Sequence, residues 1–188
     1  MRPNANYDGC FVSADEEETA PTPDPGLPAV TLADLVSFRP VPPVQRMEPN
    51  GWMVAGLETN FYSQVDQQVQ TGTLLGLPAS VRFTPVAWRW DYGDGTTKTT
   101  ASRGSTWQVA GLREFDATPT SHTFEEPGTY TIRLTVDIAA EYQFAGAGWR
   151  AITGTLPVAA NEITAVAGTA DTVLVGRDCA ENPRGPGC

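Results

Sequence analysis

The stretch Thr129–Phe144, TYTIRLTVDIAAEYQF, limits what this chain can fold into more than any other. From Tyr130 the even positions read Tyr, Ile, Leu, Val, Ile, Ala, Tyr and Phe, whereas the odd positions are mostly Thr, Arg, Asp, Glu and Gln. Strict alternation puts the apolar row on one face of an extended strand and the polar row on the other. Helical spacing would scatter the same residues around an axis. The run is long for one strand, so a bulge near Ala139–Ala140 is predicted.

A strand with one apolar face needs other strands, and the sequence supplies them. Trp52–Ser63 reads as a strand broken at Gly56. Gln67–Leu77 reads as a second, with Val69, Thr71, Thr73 and Leu75 on one face. Ser80–Tyr92 changes phase across Pro85: Val81 and Phe83 are odd, while Val86, Trp88 and Trp90 are even. A bulge at Thr84–Pro85 reconciles the two halves. Short strands follow at Thr96–Thr100, Thr106–Val109 and Ser121–Phe124, then Trp149–Pro157 and a hairpin of Ile163–Ala167 with Thr172–Val175. Thr31–Phe38 is the one helix, capped by Thr31 with Asp34 three residues on, and stopped by Pro40, Pro42 and Pro43. Leu32, Leu35, Val36 and Phe38 form its apolar side. The 18 Gly, 16 Pro and 18% charged residues fit an all-β domain rich in turns.

The formal net charge is -10, and up to Pro28 six acids face only Arg2. An acidic chain without a basic stripe excludes nucleic acid and anionic membranes as natural partners. Residues 1–28 read as an acidic Pro/Thr-rich disordered tail, 29–176 as the folded unit, and 177–188 as a Pro/Gly-rich tail. Met1–Glu18 has no apolar segment suited to a signal peptide, so the expectation is either a cytoplasmic protein or an export signal upstream of Met1. No stretch is long enough to span a membrane. Of the three cysteines, Cys179 and Cys188 enclose a turn-rich loop and are expected to pair in an oxidising compartment, leaving Cys10 spare.

Trp90-Asp-Tyr-Gly-Asp-Gly-Thr96, then Ser121-His-Thr-Phe124, then Pro127-Gly-Thr-Tyr-Thr-Ile-Arg-Leu-Thr-Val136 resemble the PKD (polycystic kidney disease repeat) domain, with a motif core at 80–144. The resemblance implies an immunoglobulin-like β-sandwich with extra flanking strands. It gives structural roles to Trp90, Asp91, Gly93, Asp94, Gly95, His122, Phe124, Pro127, Gly128 and Tyr130. The whole chain is also similar to small PKD-containing proteins of actinobacteria.

Asp91 and Asp94 are close enough in sequence to suggest calcium, but a calcium site needs six or more oxygens, so turn geometry is the preferred reading. His122, the only histidine, has no nucleophile motif beside it. Glu125 and Glu126 are neighbours on an extended chain and point to opposite faces, which does not suit paired-carboxylate hydrolysis. Trp107, Trp149 and Tyr142 are candidates for a sugar-stacking platform. The expected function is a non-catalytic extracytoplasmic structural or protein-interaction module of the cell envelope, without cofactor. An accessory domain for wall polysaccharide is the alternative, and an enzyme on a sandwich scaffold the weakest reading.

Overall fold

The computed structural model describes residues 29–145 and 147–170. The expected tails, the strand Thr172–Val175, the Cys179–Cys188 bridge and Cys10 lie outside the described residues. In chain order the elements are a 3-10 helix at Leu32–Ser37, β1 (Val44–Glu48), β2 (Trp52–Val54), β3 (Glu58–Gln64), β4 (Gln68–Leu74), β5 (Leu77–Asp91), β6 (Thr97–Thr100), α1 (Trp107–Ala110), β7 (His122–Thr123), β8 (Gly128–Phe144), β9 (Arg150–Ala159) and β10 (Ile163–Gly168).

β5 and β8 form the spine, paired antiparallel from Ala79 with Phe144 to Asp91 with Arg133. On β8 the even residues from Ile132 to Phe144 are all buried and none of the odd ones is. The register of the spine slips between Pro85 and Ala87. Proline cannot donate a ladder bond, so the ladder is weakest there. The slip lets Val81 and Phe83 share a buried side with Trp88 and Trp90. It falls one residue later than the sequence predicts, and Val86 sits in it, 43% exposed, instead of joining the tryptophans. A second slip lies opposite Ala139–Glu141, but the extra residues belong to β9, around Gly154 with φ +94. The predicted bulge is therefore on the neighbour of the long strand.

β8's other edge carries β10 along Gly128–Ile132 and β9 along Thr135–Tyr142. β5's other edge carries β4 and β6. β10 also pairs in parallel with β2, so its described neighbours are β8 and β2. β1, β3 and β7 make a three-stranded sheet. The chain is thus an all-β, immunoglobulin-like sandwich, with Met47, Phe61, Trp90, Tyr92, Phe124, Ile132 and Leu134 in one apolar cluster.

β1 has no counterpart in the sequence reading. Its buried residues are Gln45 and Met47, so no apolar alternation marks it. Gln45 is tolerated inside because its Nε2 donates to the carbonyl oxygens of Ile132 (2.9 Å) and Asn161, and its backbone N–H donates to Asn161 Oδ1 at 2.9 Å. On β4 the face of Val69, Thr71 and Thr73 is exposed, and Leu74 is the buried residue. The strand stops there because Leu75 and Gly76, with φ of 50 and 81, make the two-residue turn into β5.

The N-terminal segment covers the end of the spine that lies between β4 and β9. Its helix is capped as predicted: the backbone N–H and hydroxyl of Thr31 donate to Asp34 Oδ2 at 2.8 and 2.7 Å. The helix is 3-10, however, with three residues per turn, so Leu32, Leu35 and Phe38 align. Leu35 and Phe38 are buried and Val36 is 72% exposed, which removes Val36 from the predicted apolar side. The Phe38 ring lies against Gly72 of β4. Beyond it, Gln68 Oε1 accepts from the Val41 N–H at 2.8 Å and Gln70 Oε1 from the Arg39 N–H at 3.2 Å. Both side-chain amides donate back to the carbonyls of the same residues, so two glutamines grip the segment as a neighbouring strand would.

Candidate functional site

At the end of β5 the chain enters the core and then turns sharply. Trp90 is 1% exposed, its ring 6.0 Å from that of Phe61. The next two odd-even steps give Asp91 to the turn and Tyr92 to the core. Asp91 Oδ1 accepts from the Gly93 N–H at 3.0 Å. Asp94 Oδ1 accepts from the N–H and hydroxyl of Thr96 at 2.9 and 2.6 Å. Gly93 and Gly95 have φ of +79 and +91, the left-handed region that these side-chain-to-backbone turns require.

His122 on β7 closes the turn from the other sheet. Its Nε2 donates to Asp94 Oδ2 at 2.6 Å, and its ring stacks on Tyr92 at 4.1 Å and 8°. Phe124 meets His122 edge-on at 4.8 Å and lies 4.7 Å from Tyr130. The Tyr130 hydroxyl donates to the Glu126 carbonyl at 2.8 Å, the corner tyrosine of immunoglobulin-like folds. Pro127 and Gly128 lead directly into β8. The structure therefore gathers the motif residues around one joint between the two sheets.

What this joint can do chemically follows from its hydrogen bonds. A hydrolytic triad needs an acid on one imidazole nitrogen and a nucleophile on the other. Here Asp94 Oδ2 and Thr96 Oγ1 both lie on Nε2, at 2.6 and 3.2 Å, and the hydroxyl donates to Asp94. No proton relay to a nucleophile exists in that arrangement. Burial pushes the Asp94 carboxyl up, but the hydrogen bonds from Thr96 and His122 outweigh it and hold the group below its ordinary value. Burial, with the charges of Glu58 and Asp94, pushes the Tyr92 phenol well up, so it stays a neutral donor to the Thr120 carbonyl. Asp91 and Asp94 spend acceptors on the turn itself. Among the described residues no group of three or more His, Cys, Asp or Glu is placed to hold a metal.

Residues 60–141 match the PKD domain. No curated protein matches the chain. PKD domains are non-catalytic modules of immunoglobulin-like fold, and the joint just described lies inside the matched segment. The 3-10 helix, β1, β2, β9 and β10 lie outside it and extend both sheets around it.

The PKD match begins at a residue the sequence reading passes over. Asn60 is fully buried, donates to Glu48 Oε2 (3.1 Å) and the Ser105 carbonyl (2.8 Å), and accepts from Thr118 Oγ1 at 2.8 Å. It pins the 101–120 connection to β3. The only signal for it in the sequence is a polar residue at the centre of an otherwise strand-like run. Within that connection Thr106–Val109 is not a strand. Thr106 caps a helical turn by accepting from the Val109 N–H at 3.2 Å, and Gly111 ends it at φ +69. In so short a run, Trp107 and Val109 two apart fit either period.

The proposed aromatic platform is not assembled. Trp107 is 4% and Tyr142 5% exposed. Trp107 donates from Nε1 to the Asp116 carbonyl at 2.8 Å and packs on Phe115. Trp149 is partly open, but the Arg82 guanidinium covers its ring at 4.4 Å. Arg82 is itself paired with Glu141 at 2.7 Å, and that bond lowers the Glu141 carboxyl from its ordinary value. Glu125 and Glu126 are both exposed.

The joint carries a pH prediction. Because Asp94 is lowered in the folded state, the stability it confers is complete above its unfolded value of about 4 and is lost as pH falls through the lowered one. Asp94→Asn should therefore be less stable than the wild type near neutrality, with the gap closing on acidification. Urea unfolding curves between neutral and strongly acid pH check this. A gap independent of pH would remove the carboxylate from the account.

Proposed function

We propose that the chain is a non-catalytic, extracytoplasmic module of the cell envelope that makes structural or protein–protein contacts. PKD domains are typically extracellular structural or interaction modules. The observation that carries the reading is the joint at His122: its one imidazole nitrogen near the turn is shared between Asp94 and Thr96, so the chemistry-bearing side chains serve the fold. Among the described residues no helix is long and apolar enough to cross a membrane. The charge of -10 favours neutral or basic partners. The wall-glycan alternative loses support, because two of its three rings face the interior.

Surface biotinylation and fractionation of cells expressing the tagged full-length gene product test the location. Labelling on intact cells is expected, and recovery only in the cytosol would refute it. The purified chain should turn over neither wall polysaccharide nor peptide substrates. Turnover that His122→Ala abolishes while the melting curve is kept would overturn the non-catalytic reading. Sedimentation with purified wall glycan should be negligible for the wild type and for Trp149→Ala alike, and retention of the wild type alone would restore the glycan alternative.

A further inference from the structure

We propose that the cavity between the β1–β2 turn and the helical turn α1 binds an organic cation, an alkylammonium or guanidinium head group such as a partner protein presents on lysine or arginine. The proposal rests on the interaction-module reading and names the chemistry such a partner would show. The cavity has a volume of about 490 Å3 and is lined by Glu48, Pro49, Trp52, Trp107, Gln108, Leu112 and Glu114, a size that suits a side chain or small ligand. It lies in the 101–120 connection and in β1–β2, away from the His122 joint.

Its walls and its charge point the same way. Trp52 is 49% exposed, and its ring lies 6.4 Å from Phe115, which in turn lies 5.7 Å from Trp107. A tryptophan face is the best aromatic partner for a cation. The lining includes two carboxylates and no cationic side chain. Glu48 is fixed there by two neutral donors on one oxygen, the Trp107 N–H at 2.8 Å and Asn60 Nδ2 at 3.1 Å. Glu114 has no ion-pair or hydrogen-bond partner among the described residues. The neighbouring Arg113 is held by Asp116, which accepts from its backbone N–H at 3.0 Å and from its guanidinium at 3.2 Å. A sugar would want an open aromatic face and a mix of donors and acceptors. This cavity offers one neutral amide, Gln108, against two carboxylates with no cation beside them and a partly open indole, a balance that favours a cation.

The site is also held in shape before any ligand arrives. Phe115 has φ of 65, an uncommon backbone for a bulky residue, and it is kept there by the Arg113–Asp116 turn and the two tryptophans. Phe115 thereby braces the two tryptophans that line the cavity, and walls set in advance reduce the ordering cost of binding.

The test follows the five tryptophan indole N–H signals of the full chain by NMR. The probes are Nα-acetyl-lysine amide, Nα-acetyl-arginine amide, choline, and the neutral control Nα-acetyl-norleucine amide. Lysine or arginine probe is expected to shift the Trp52 and Trp107 signals saturably in the millimolar range, and norleucine is not. The shift should weaken with salt, fall several-fold in Glu114→Gln and vanish in Trp52→Leu, whose other indole signals report the retained fold. Choline acting where the amino-acid probes do not would overturn the side-chain source in favour of a free quaternary ammonium ligand. Equal shifts from norleucine, or no shift of these two signals by any cation, would overturn the site. These outcomes are independent of where the cell places the protein, so a cytosolic chain that still reads lysine would sink the location and spare the cavity.

Discussion

Replacing Trp90 with alanine is expected to lower the stability of the fold by about 3–5 kcal/mol. The ring is 1% exposed, tilted against Phe61 at 6.0 Å, and part of the cluster that joins both sheets. The strands on either side are fixed by long ladders, so the walls cannot collapse into the space it leaves. The indole N–H is buried without a partner among the described residues. A buried unpaired donor costs about 1–3 kcal/mol, so the side chain is held by packing against a polar penalty. Trp90→Phe keeps an aromatic ring and removes that donor, and it is expected to cost much less than Trp90→Ala. Urea unfolding of the two variants, with unchanged slope, measures both. An alanine variant within about 1 kcal/mol of the wild type would mean that the ring is not the packing centre.

The reason so much of the sandwich was legible lies in β8. Its partners on both faces differ in kind, core on one side and water on the other, and such a strand writes its environment into every second residue. The phase change across Pro85 was legible for the same reason: the apolar row had to change parity, and only an inserted residue can do that. Where burial is polar the signal fails. Gln45 and Asn60 are as buried as any aliphatic residue, yet they are held by hydrogen bonds to Ile132, Asn161, Ser105 and Thr118 that only the tertiary fold brings near. β1 is illegible in the sequence on that account. The N-terminal helix is legible through its cap, which is local, but its buried face is not, because the choice between 3.6 and three residues per turn is made by packing on β4 and β9. The joint at His122 was legible as a set of residues. That both acid and hydroxyl fall on one imidazole nitrogen was not, since spacing in sequence says nothing of which ring nitrogen faces which neighbour. Trp52 and Trp107 gave no sign of sharing a cavity, because it is closed by a connection that has little periodicity of its own.

Gly93→Ala is expected to destabilise by roughly 2–5 kcal/mol, the sum of a strained backbone and a forced displacement. Gly93 has φ of +79, and a Cβ there would lie 2.5 Å from the Thr131 carbonyl oxygen and 3.1 Å from the Thr131 nitrogen. Those atoms are backbone on β8, whose Thr131 pairs with Thr164 of β10. They cannot swing aside as a side chain would, so the turn or the ladder must move. Moving the turn also draws Asp94 from His122, which loosens the contact between the sheets. Gly95 supplies the control: it has φ of +91 and open space where its Cβ would be, so Gly95→Ala carries the backbone strain alone. The expected order is Gly93→Ala well below Gly95→Ala, and Gly95→Ala below the wild type, in midpoint of urea unfolding. The His122 imidazole signals should move in the Gly93 variant and stay nearly fixed in the other. Equal losses in the two variants would show that left-handed backbone alone governs this turn and that the approach to Thr131 does not.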